Sequence, residues 1–194
     1  MEPDMNPSEK GKDKPLSQPN AESSRSLTGT GMDLRLSPIT MEDRKEFLDI
    51  FNHYIETSFA AFPDHPMPGE AFDMIMHRCE GFPTVAARDP KGHVIGFGLL
   101  HAYNPFPVFS HTAELTYFIR PEWIGRGVGT MILSHLCQKA RGKGITTVLA
   151  CISSLNDQSL RFHRRKGFIQ CGCFSSVGKK KGVTFDIIYM QKFL

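Results

Sequence analysis

The sequence has no apolar run that approaches the roughly 18–20 residues of a membrane-spanning helix. Its first ten residues, MEPDMNPSEK, lack the charged-then-apolar order of a secretory signal peptide. The charge is nearly balanced, because 23 Lys and Arg against 20 Asp and Glu leave a net charge of only +3. So weak an excess does not indicate nucleic-acid binding. We therefore expect a cytoplasmic protein that has neither a membrane nor a nucleic acid as a partner.

Cysteine is also sparse and carries no recognisable pattern. The count of five is odd, and the spacing fits neither a disulfide framework nor a four-ligand zinc site. We interpret these residues as reduced, mostly buried thiols, and we predict no metal site. The five residues are Cys79, Cys137, Cys151, Cys171 and Cys173.

Residues 1–31 differ in composition from everything that follows. They are rich in Ser, Pro, Asn, Lys, Glu and Gly and contain few large hydrophobic side chains. Such a segment cannot bury enough apolar area to offset the entropy that ordering it would cost. We predict a disordered tail over residues 1–31 and one folded domain over residues 32–194, which suits the length of the chain.

Apolar periodicity and turn residues predict the element order β-α-α-β-β-β-α-β-α-β-β. This order is typical of a mixed α/β sheet with helices on its faces. Helices are predicted at about residues 41–55, 69–80, 125–141 and 157–166. Strands are predicted at about residues 34–39, 84–88, 93–100, 113–119, 146–152, 168–176 and 183–192, with a solvated turn of Lys179, Lys180, Lys181 and Gly182 between the last two.

The clearest functional signal is a strand that runs into a glycine-rich turn and then a helix, residues 117–130, YFIRPEWIGRGVGT. Glycines let backbone N–H groups approach phosphate oxygens, and the helix N-terminus and Arg126 add positive charge. The pattern therefore predicts an anion cradle, although a tight strand-to-helix connection alone would also explain the glycines. It lacks the Gly-Lys-Ser/Thr ending of a P-loop and the later acidic residue of a dinucleotide-binding fold.

With this turn, the sequence resembles the GNAT superfamily of N-acetyltransferases, whose pyrophosphate loop reads Arg/Gln-x-x-Gly-x-Gly/Ala. Gly127 and Gly129 match the glycines, whereas Ile124 stands where Arg or Gln is usual. Residues 156–168, NDQSLRFHRRKGF, are similar to the family's Asn-x-x-Ala-x-x-x-Tyr-x-x-x-Gly-Phe, and His163 occupies the Tyr position.

The resemblance narrows to the phosphinothricin and methionine sulfoximine N-acetyltransferase branch. Residues 51–62, FNHYIETSFAAF, are similar to that branch's Ile-Tyr-Asn-His…Thr-x-Ala-x-Phe opening, and residues 111–119, HTAELTYFI, to its His-Thr-Val-Glu strand. It covers about residues 33–194. It implies the GNAT acyl-CoA N-acyltransferase fold, a mixed central sheet with two splayed parallel strands and flanking helices.

The resemblance also implies that acetyl-CoA is the co-substrate and lies in the gap between the splayed strands. Glu114 would be the general base, with His111 as a second choice, and His163 would protonate the departing thiolate or only contact the cofactor. A solvent-facing carboxylate, a packed imidazole and a simple helix cap at Asn156 are the alternative interpretations. The implied cofactor-binding residues are Tyr117, Phe118, Ile119, Gly125, Arg126, Gly127, Val128, Gly129, Thr130, Asn156 and Ser159.

The acceptor is less well defined, because residues 103–110 lack the arginines that this branch usually carries there for a substrate carboxylate. We assign Phe59, Tyr103 and Phe106 to the acceptor pocket. The acceptor is then the primary amine of a small molecule, either an amino acid or analogue such as phosphinothricin or methionine sulfoximine, or a less charged amine. Alternatives are a protein or peptide N-acetyltransferase and a non-catalytic acyl-CoA-binding module. The resemblance further implies a homodimer.

Overall fold

The computed structural model describes residues 33–194, so the predicted disordered tail over residues 1–31 lies outside the described residues. The predicted order of strands and helices is confirmed. Three short 3-10 turns, Met41–Asp43, Pro107–Phe109 and Pro121–Trp123, add to it. The helices are α1 (Arg44–Thr57), α2 (Glu70–Arg78), α3 (Val128–Arg141) and α4 (Asp157–Arg165), and the strands are β1 (Arg35–Ser37), β2 (Thr84–Arg88), β3 (Val94–Ala102), β4 (Thr112–Ile119), β5 (Thr147–Ser153), β6 (Ile169–Lys180) and β7 (Val183–Phe193).

Two predicted boundaries were wrong, and both lie at turns with left-handed backbone. Helix α3 begins at Val128 rather than near residue 125, because Gly125 and Gly127 have φ of 79° and 85°, outside the helical region. Strand β6 continues to Lys180, and a two-residue turn of Lys181 and Gly182, with φ of 51° and 79°, leads into β7. The prediction of a solvated lysine turn was therefore wrong for Lys180, which is buried.

The seven strands form one sheet in the order β1-β2-β3-β4-β5-β7-β6, and only β4 and β5 are parallel neighbours. Their pairing covers Thr112–Leu115 against Thr147–Ala150. Strand β4 continues to Ile119 and β5 to Ser153, so the two strands diverge beyond this short pairing. The sheet is therefore open in its middle, as the predicted splayed strands require.

Both faces of the sheet are packed by helices. On one face α3 and α4 cover a core that includes Ile132, Leu136 and Val148. On the other, α1 and α2 bury Phe47, which stacks on Phe97 with ring centroids 3.8 Å apart, and Phe72, which meets Phe47 edge-on. Apolar burial on both faces of a central sheet is what holds such a layered fold together. The helices thus keep the two halves of the opened sheet in fixed positions.

The described residues contain no helix with both the length and the apolar character to span a membrane. Nor do residues 33–194 bring three His, Cys, Asp or Glu side chains together in a way that could hold a metal ion. All five cysteines are free; Cys79 and Cys137 are buried, but Cys171 and Cys173 lie exposed on β6, so the prediction of mostly buried thiols was wrong for those two.

Candidate active site

A cleft of about 740 Å³ opens where β4 and β5 diverge. It joins segments that are far apart in the sequence: the second half of β4, the glycine turn before α3, the end of β5, the first turns of α4, and the chain that follows α1. Most of the predicted site residues line this one cleft, namely Phe59, Glu114, Tyr117, Phe118, Ile119, Gly125, Gly127, Gly129, Thr130, Asn156, Ser159 and His163.

One edge of β4 is free along the cleft. Strand β3 pairs with β4 as far as Ile119, whereas β5 leaves it after Leu115, so the backbone groups on the second edge lack a strand partner there. The hydroxyl of Tyr54 donates to the carbonyl oxygen of Ile119 at 2.6 Å and so satisfies one of these backbone groups. Burial raises the pKa of Tyr54 to about 12, which keeps it a donor. The remaining edge can pair with an extended ligand as a further strand would.

The glycine turn leads directly into the first turn of α3. Gly127 is the N-cap residue of α3, and a Cβ added at Gly125 or Gly127 would meet no atom within 4 Å, so both face open space. Gly129 instead allows α3 to pack closely against β4, since a Cβ there would lie 3.1 Å from Cδ1 of Ile119. The unpaired N–H groups and partial positive charge of the α3 N-terminus then point at the cleft, which suits a pyrophosphate.

Two of the predicted cofactor residues have other positions. The Val128 side chain is buried in the core, so only its backbone can serve the cleft. The guanidinium of Arg126 lies over the Trp123 ring, 5.3 Å from its centroid, and is not part of the cleft lining. The groups of the turn that line the cleft are therefore the glycines, and the charge of Arg126 lies beside Trp123.

Asn156 is a helix cap, as the alternative interpretation predicts, and it also lies at the cleft. Its side-chain oxygen accepts a hydrogen bond from the backbone N–H of Ser159 at 3.1 Å, which caps α4, and the residue also lines the cleft. The Ser159 hydroxyl lies 3.2 Å from Nδ1 of His163, whose ring packs against that of Tyr117 on β4. These contacts fix the first turn of α4 against β4 on the two sides of the cleft.

His163 is buried between the rings of Tyr117 and Phe168. Its Nδ1 lies 2.8 Å from the carbonyl oxygen of Ser159, and because a carbonyl can only accept, Nδ1 carries the hydrogen. Burial lowers the pKa of His163, so the ring is neutral and Nε2 has a lone pair, which is buried and without a partner. A neutral imidazole of this tautomer accepts rather than donates at Nε2, so the geometry favours contact with the cofactor over protonation of a thiolate.

Glu114 lies one residue before the last residue of β4 that pairs with β5, so its side chain stands where the cleft begins. Across the antiparallel pair its partner is His101 on β3, which also lines the cleft. Burial lowers the pKa of His101, and its Nδ1 lies 3.0 Å from the carbonyl oxygen of Ala102. The half-buried Glu114 thus faces the cleft beside a buried, neutral imidazole.

Three further predicted residues lie outside the cleft lining. Tyr103 and Phe106 are exposed on the loop after β3, where the Tyr103 ring meets Phe109 edge-on, and His111 is exposed before β4. Phe59 does line the cleft, and it packs edge-on against Phe185 on β7. The segment after α1 therefore lines the cleft, whereas Tyr103 and Phe106 of the aromatic loop do not.

Sequence reasoning missed His101, Arg78 at the end of α2, and the neighbours of the predicted Phe59 in the segment 58–63. No local pattern distinguishes them, since each reaches the cleft only through tertiary packing. The sole available signal was the two-residue alternation of β3, which places a strand residue such as His101 on a definite face but does not give its partner.

Comparison with known proteins gives one family. The sequence model of the acetyltransferase (GNAT) family matches residues 47–168. A phosphinothricin N-acetyltransferase of Alcaligenes faecalis is 32% identical over 158 residues, 78% of each chain. An L-methionine sulfoximine/L-methionine sulfone acetyltransferase of Pseudomonas paraeruginosa is 35% identical over 112 residues, which are 58% of this chain but only 65% of that protein. An acetyltransferase of Salmonella typhimurium, solved with its cofactor acetyl-CoA, superimposes with a TM-score of 0.77 at 26% identity over 83% of this chain and 94% of its own.

Proposed function

Because the chain belongs to the GNAT family of acetyltransferases, we propose that it transfers the acetyl group of acetyl-CoA to the primary amine of a small molecule. The observation that carries the proposal is the position of Glu114, a carboxylate at the point where β4 and β5 part and the cleft begins. The relatives named for phosphinothricin and methionine sulfoximine support a small amine acceptor.

The cleft fits acetyl-CoA in three respects. The free edge of β4 beyond Leu115 can pair with the amides of the pantetheine arm. The turn at Gly125 and Gly127, with open space where side chains would be, can hold the pyrophosphate against the N-terminus of α3. The buried, unpartnered Nε2 of His163 offers an acceptor to a donor on the arm. Bound there, acetyl-CoA supplies an activated thioester.

The protein's part in the reaction is to position the amine and to take its proton. Glu114 would accept that proton, directly or through water, as the new C–N bond forms and the thioester C–S bond breaks, and the proton would then pass to the departing CoA thiolate. Backbone N–H groups on the free edge of β4 can stabilise the negative charge that develops on the oxygen. Holding both reactants in one cleft supplies a large share of the acceleration.

The lining of the acceptor end favours a small molecule over a protein or peptide. Phe59, Phe62 and Pro63 close this end with apolar surface. Glu114 is the one acidic side chain among the cleft-lining residues of the described chain. A groove for basic peptides would need further carboxylates, since recognition of cationic partners depends on complementary charge.

The proposal is tested by calorimetric titration with acetyl-CoA, followed by measurement of thiol release with a panel of primary amines. Micromolar binding with amine-dependent thiol release is the expected result. Binding without release on any amine would favour a non-catalytic acyl-CoA-binding module, and release only with peptides would favour a peptide acetyltransferase. Absence of binding would overturn the proposal.

We also propose that the enzyme acts in the cytoplasm as a homodimer. Five free thiols, two of them exposed, suit a reducing compartment such as the cytoplasm.

The support for a homodimer is on the edge strand β6, which exposes Phe174 and Val177, an apolar surface that a second copy could cover. Light scattering of the purified protein at several concentrations gives the oligomeric state, and a mass of one chain throughout would exclude the dimer.

A further inference from the structure

The acceptor end of the cleft contains one cation that the family pattern does not predict. Arg78 is the last residue of α2 and lines the cleft together with His101 and Glu114. The loop over residues 103–110, from which basic residues were expected, has none. The guanidinium thus comes from a different element and reaches the same end of the cleft as the proposed base.

Arg78 and Glu114 act on the same neighbour without pairing with each other. Burial lowers the pKa of His101; of the nearby charges, Arg78 lowers it further and Glu114 opposes this. No salt bridge joins Arg78 to Glu114, or to any other carboxylate within residues 33–194. The geometric relationship is that Arg78 lines the same cleft as the paired residues His101 and Glu114.

Helix α2 holds Arg78 in place. Phe72 is fully buried against Phe47, and Cys79, directly after Arg78, is buried as the C-cap residue. A salt bridge of 2.8 Å between Arg44 and Asp73 ties α2 to α1 on the exposed side. The backbone that carries Arg78 is therefore anchored, while its side chain is exposed and can reach a ligand.

The other cations of the cleft belong to its cofactor end. Arg165 and Lys166 stand at the end of α4, and the Lys166 ammonium lies over the Phe162 ring at 5.7 Å. That ring packs beside Gly129 of the glycine turn. Of the cleft-lining cations among the described residues, Arg78 alone is associated with the His101–Glu114 pair.

We propose that Arg78 binds a carboxylate of the acceptor, so that the enzyme selects amino acids and their analogues over amines without an acidic group. This rests on the proposed function and names its substrate class. A zwitterion presents its ammonium to Glu114 and its carboxylate to the guanidinium, which can bind both oxygens in a fork. Arg78, at the end of α2, thereby takes the role that the resemblance gives to arginines in the loop after β3.

The test compares each acceptor with its own carboxamide, which keeps the side chain and replaces the carboxylate with a neutral amide. Because the amide also lowers the pKa of the neighbouring amine, kcat/KM is calculated per unprotonated amine. The panel comprises the standard L-amino acids, L-methionine sulfoximine, L-methionine sulfone and phosphinothricin. The wild-type enzyme should prefer the carboxylate member of its best pair by roughly tenfold or more in kcat/KM, as expected for a charge-assisted hydrogen bond. R78Q should reduce this preference below about threefold, and R78K should leave it in between.

R141Q is the matched control, since Arg141 is likewise the exposed last residue of a helix, α3, but does not line the cleft, and it should keep the wild-type preference. Thermal unfolding of each variant shows that it is folded. The inference is overturned if the wild type has no preference for the carboxylate, or if R78Q keeps it. If Arg78 fails this test but carboxamides are acetylated, the proposed acetyltransferase activity still stands. If no amine is acetylated, both the role of Arg78 and the proposed activity are overturned.

Discussion

The side-chain ammonium of Lys180 lies 2.7 Å from the carbonyl oxygen of Ala61 and 3.0 Å from that of Ser58. Only 2% of Lys180 is exposed. It comes from the end of β6, and the two carbonyls belong to the segment that follows α1 and closes the acceptor end of the cleft. The neighbouring Lys181 donates to the carbonyl oxygen of Glu56 in the last turn of α1. A buried lysine thus ties the cleft wall to the opposite end of the chain.

Lys180→Met should loosen this wall while leaving the cofactor cradle intact. Two buried carbonyl groups lose their donor, at a cost of about 1–3 kcal/mol in the free energy of unfolding. We expect KM for the acceptor to rise severalfold and the Kd for acetyl-CoA to stay unchanged, as measured by thiol release and calorimetry. Lys179→Met is the control, because Lys179 is exposed. Equal effects of both substitutions would contradict the role of Lys180.

Glu114→Gln removes the proposed proton acceptor but keeps the shape of the side chain. Because general-base catalysis contributes about 10²–10⁴-fold, kcat should fall by that order while the Kd for acetyl-CoA remains within about twofold. Thiol release under saturating amine measures the first quantity and calorimetry the second. His111→Gln, outside the cleft, should leave kcat unaltered. A wild-type kcat for Glu114→Gln would assign the base to another group.

Gly127→Ala tests the cradle through its backbone. Gly127 has φ of 85°, and an L-residue in the left-handed region costs about 1–2 kcal/mol. Since the open space at its Cβ is where a pyrophosphate would lie, we expect both a lower free energy of unfolding and at least tenfold weaker acetyl-CoA binding. Gly69→Ala is the matched control, because Gly69 also has open space at Cβ but its φ is −54°. Comparable losses in the two variants would argue against a cradle.

The pair of Asp43 and Arg88 makes stability depend on acid pH. The two terminal nitrogens of the Arg88 guanidinium, Nη1 and Nη2, donate to the carboxylate at 2.9 and 2.8 Å and join the turn before α1 to β2. Burial alone would raise the pKa of Asp43, but the hydrogen bonds from Arg88 and Thr40 outweigh it and lower the pKa below the ordinary value. The stabilisation is therefore complete above the unfolded-state pKa, about 3.9, and is lost as the pH falls through the lower folded-state pKa.

Asp43→Asn should lower the free energy of unfolding at pH 7 by about 3 kcal/mol, since it leaves a largely buried guanidinium without its counter-charge. The difference from wild type should shrink when urea unfolding is repeated well below pH 4. Asp73→Asn removes an exposed ion pair with Arg44 and should cost less than about 1 kcal/mol. A difference for Asp43→Asn that does not change with pH would show that the ionised pair is not its source.

The elements with a local signal could be predicted from the sequence. The glycine turn, β4 and α4 are contiguous segments whose periodicity and capping residues identify them. Asn156 could be placed at a helix N-terminus for the same reason, and the structure confirms that it is the cap.

The remaining parts of the site depend on which elements pack together. His101 faces Glu114 only because β3 and β4 pair in one register, and neither strand alone reveals it. Arg78 enters the cleft because α2 packs on α1, and Lys180 is buried because the turn at Lys181 and Gly182 continues β6 by several residues. A run of three lysines is typical of a solvent-exposed segment, so the sequence does not indicate that one of them is buried by tertiary packing.

The divergence of β4 from β5 has a consequence for the life of the protein in the cell. In a sheet with an open space in its middle, water must complete the hydrogen bonds of the backbone groups along that space. A ligand that fills the space binds only the folded state and therefore stabilises it. At a concentration one hundred times its Kd, such a ligand adds about 2.7 kcal/mol to the free energy of unfolding. The fraction of molecules open to proteolysis falls by the corresponding factor. The concentration of acetyl-CoA, the proposed ligand, would then affect the rate at which the protein is degraded as well as the rate at which it acts.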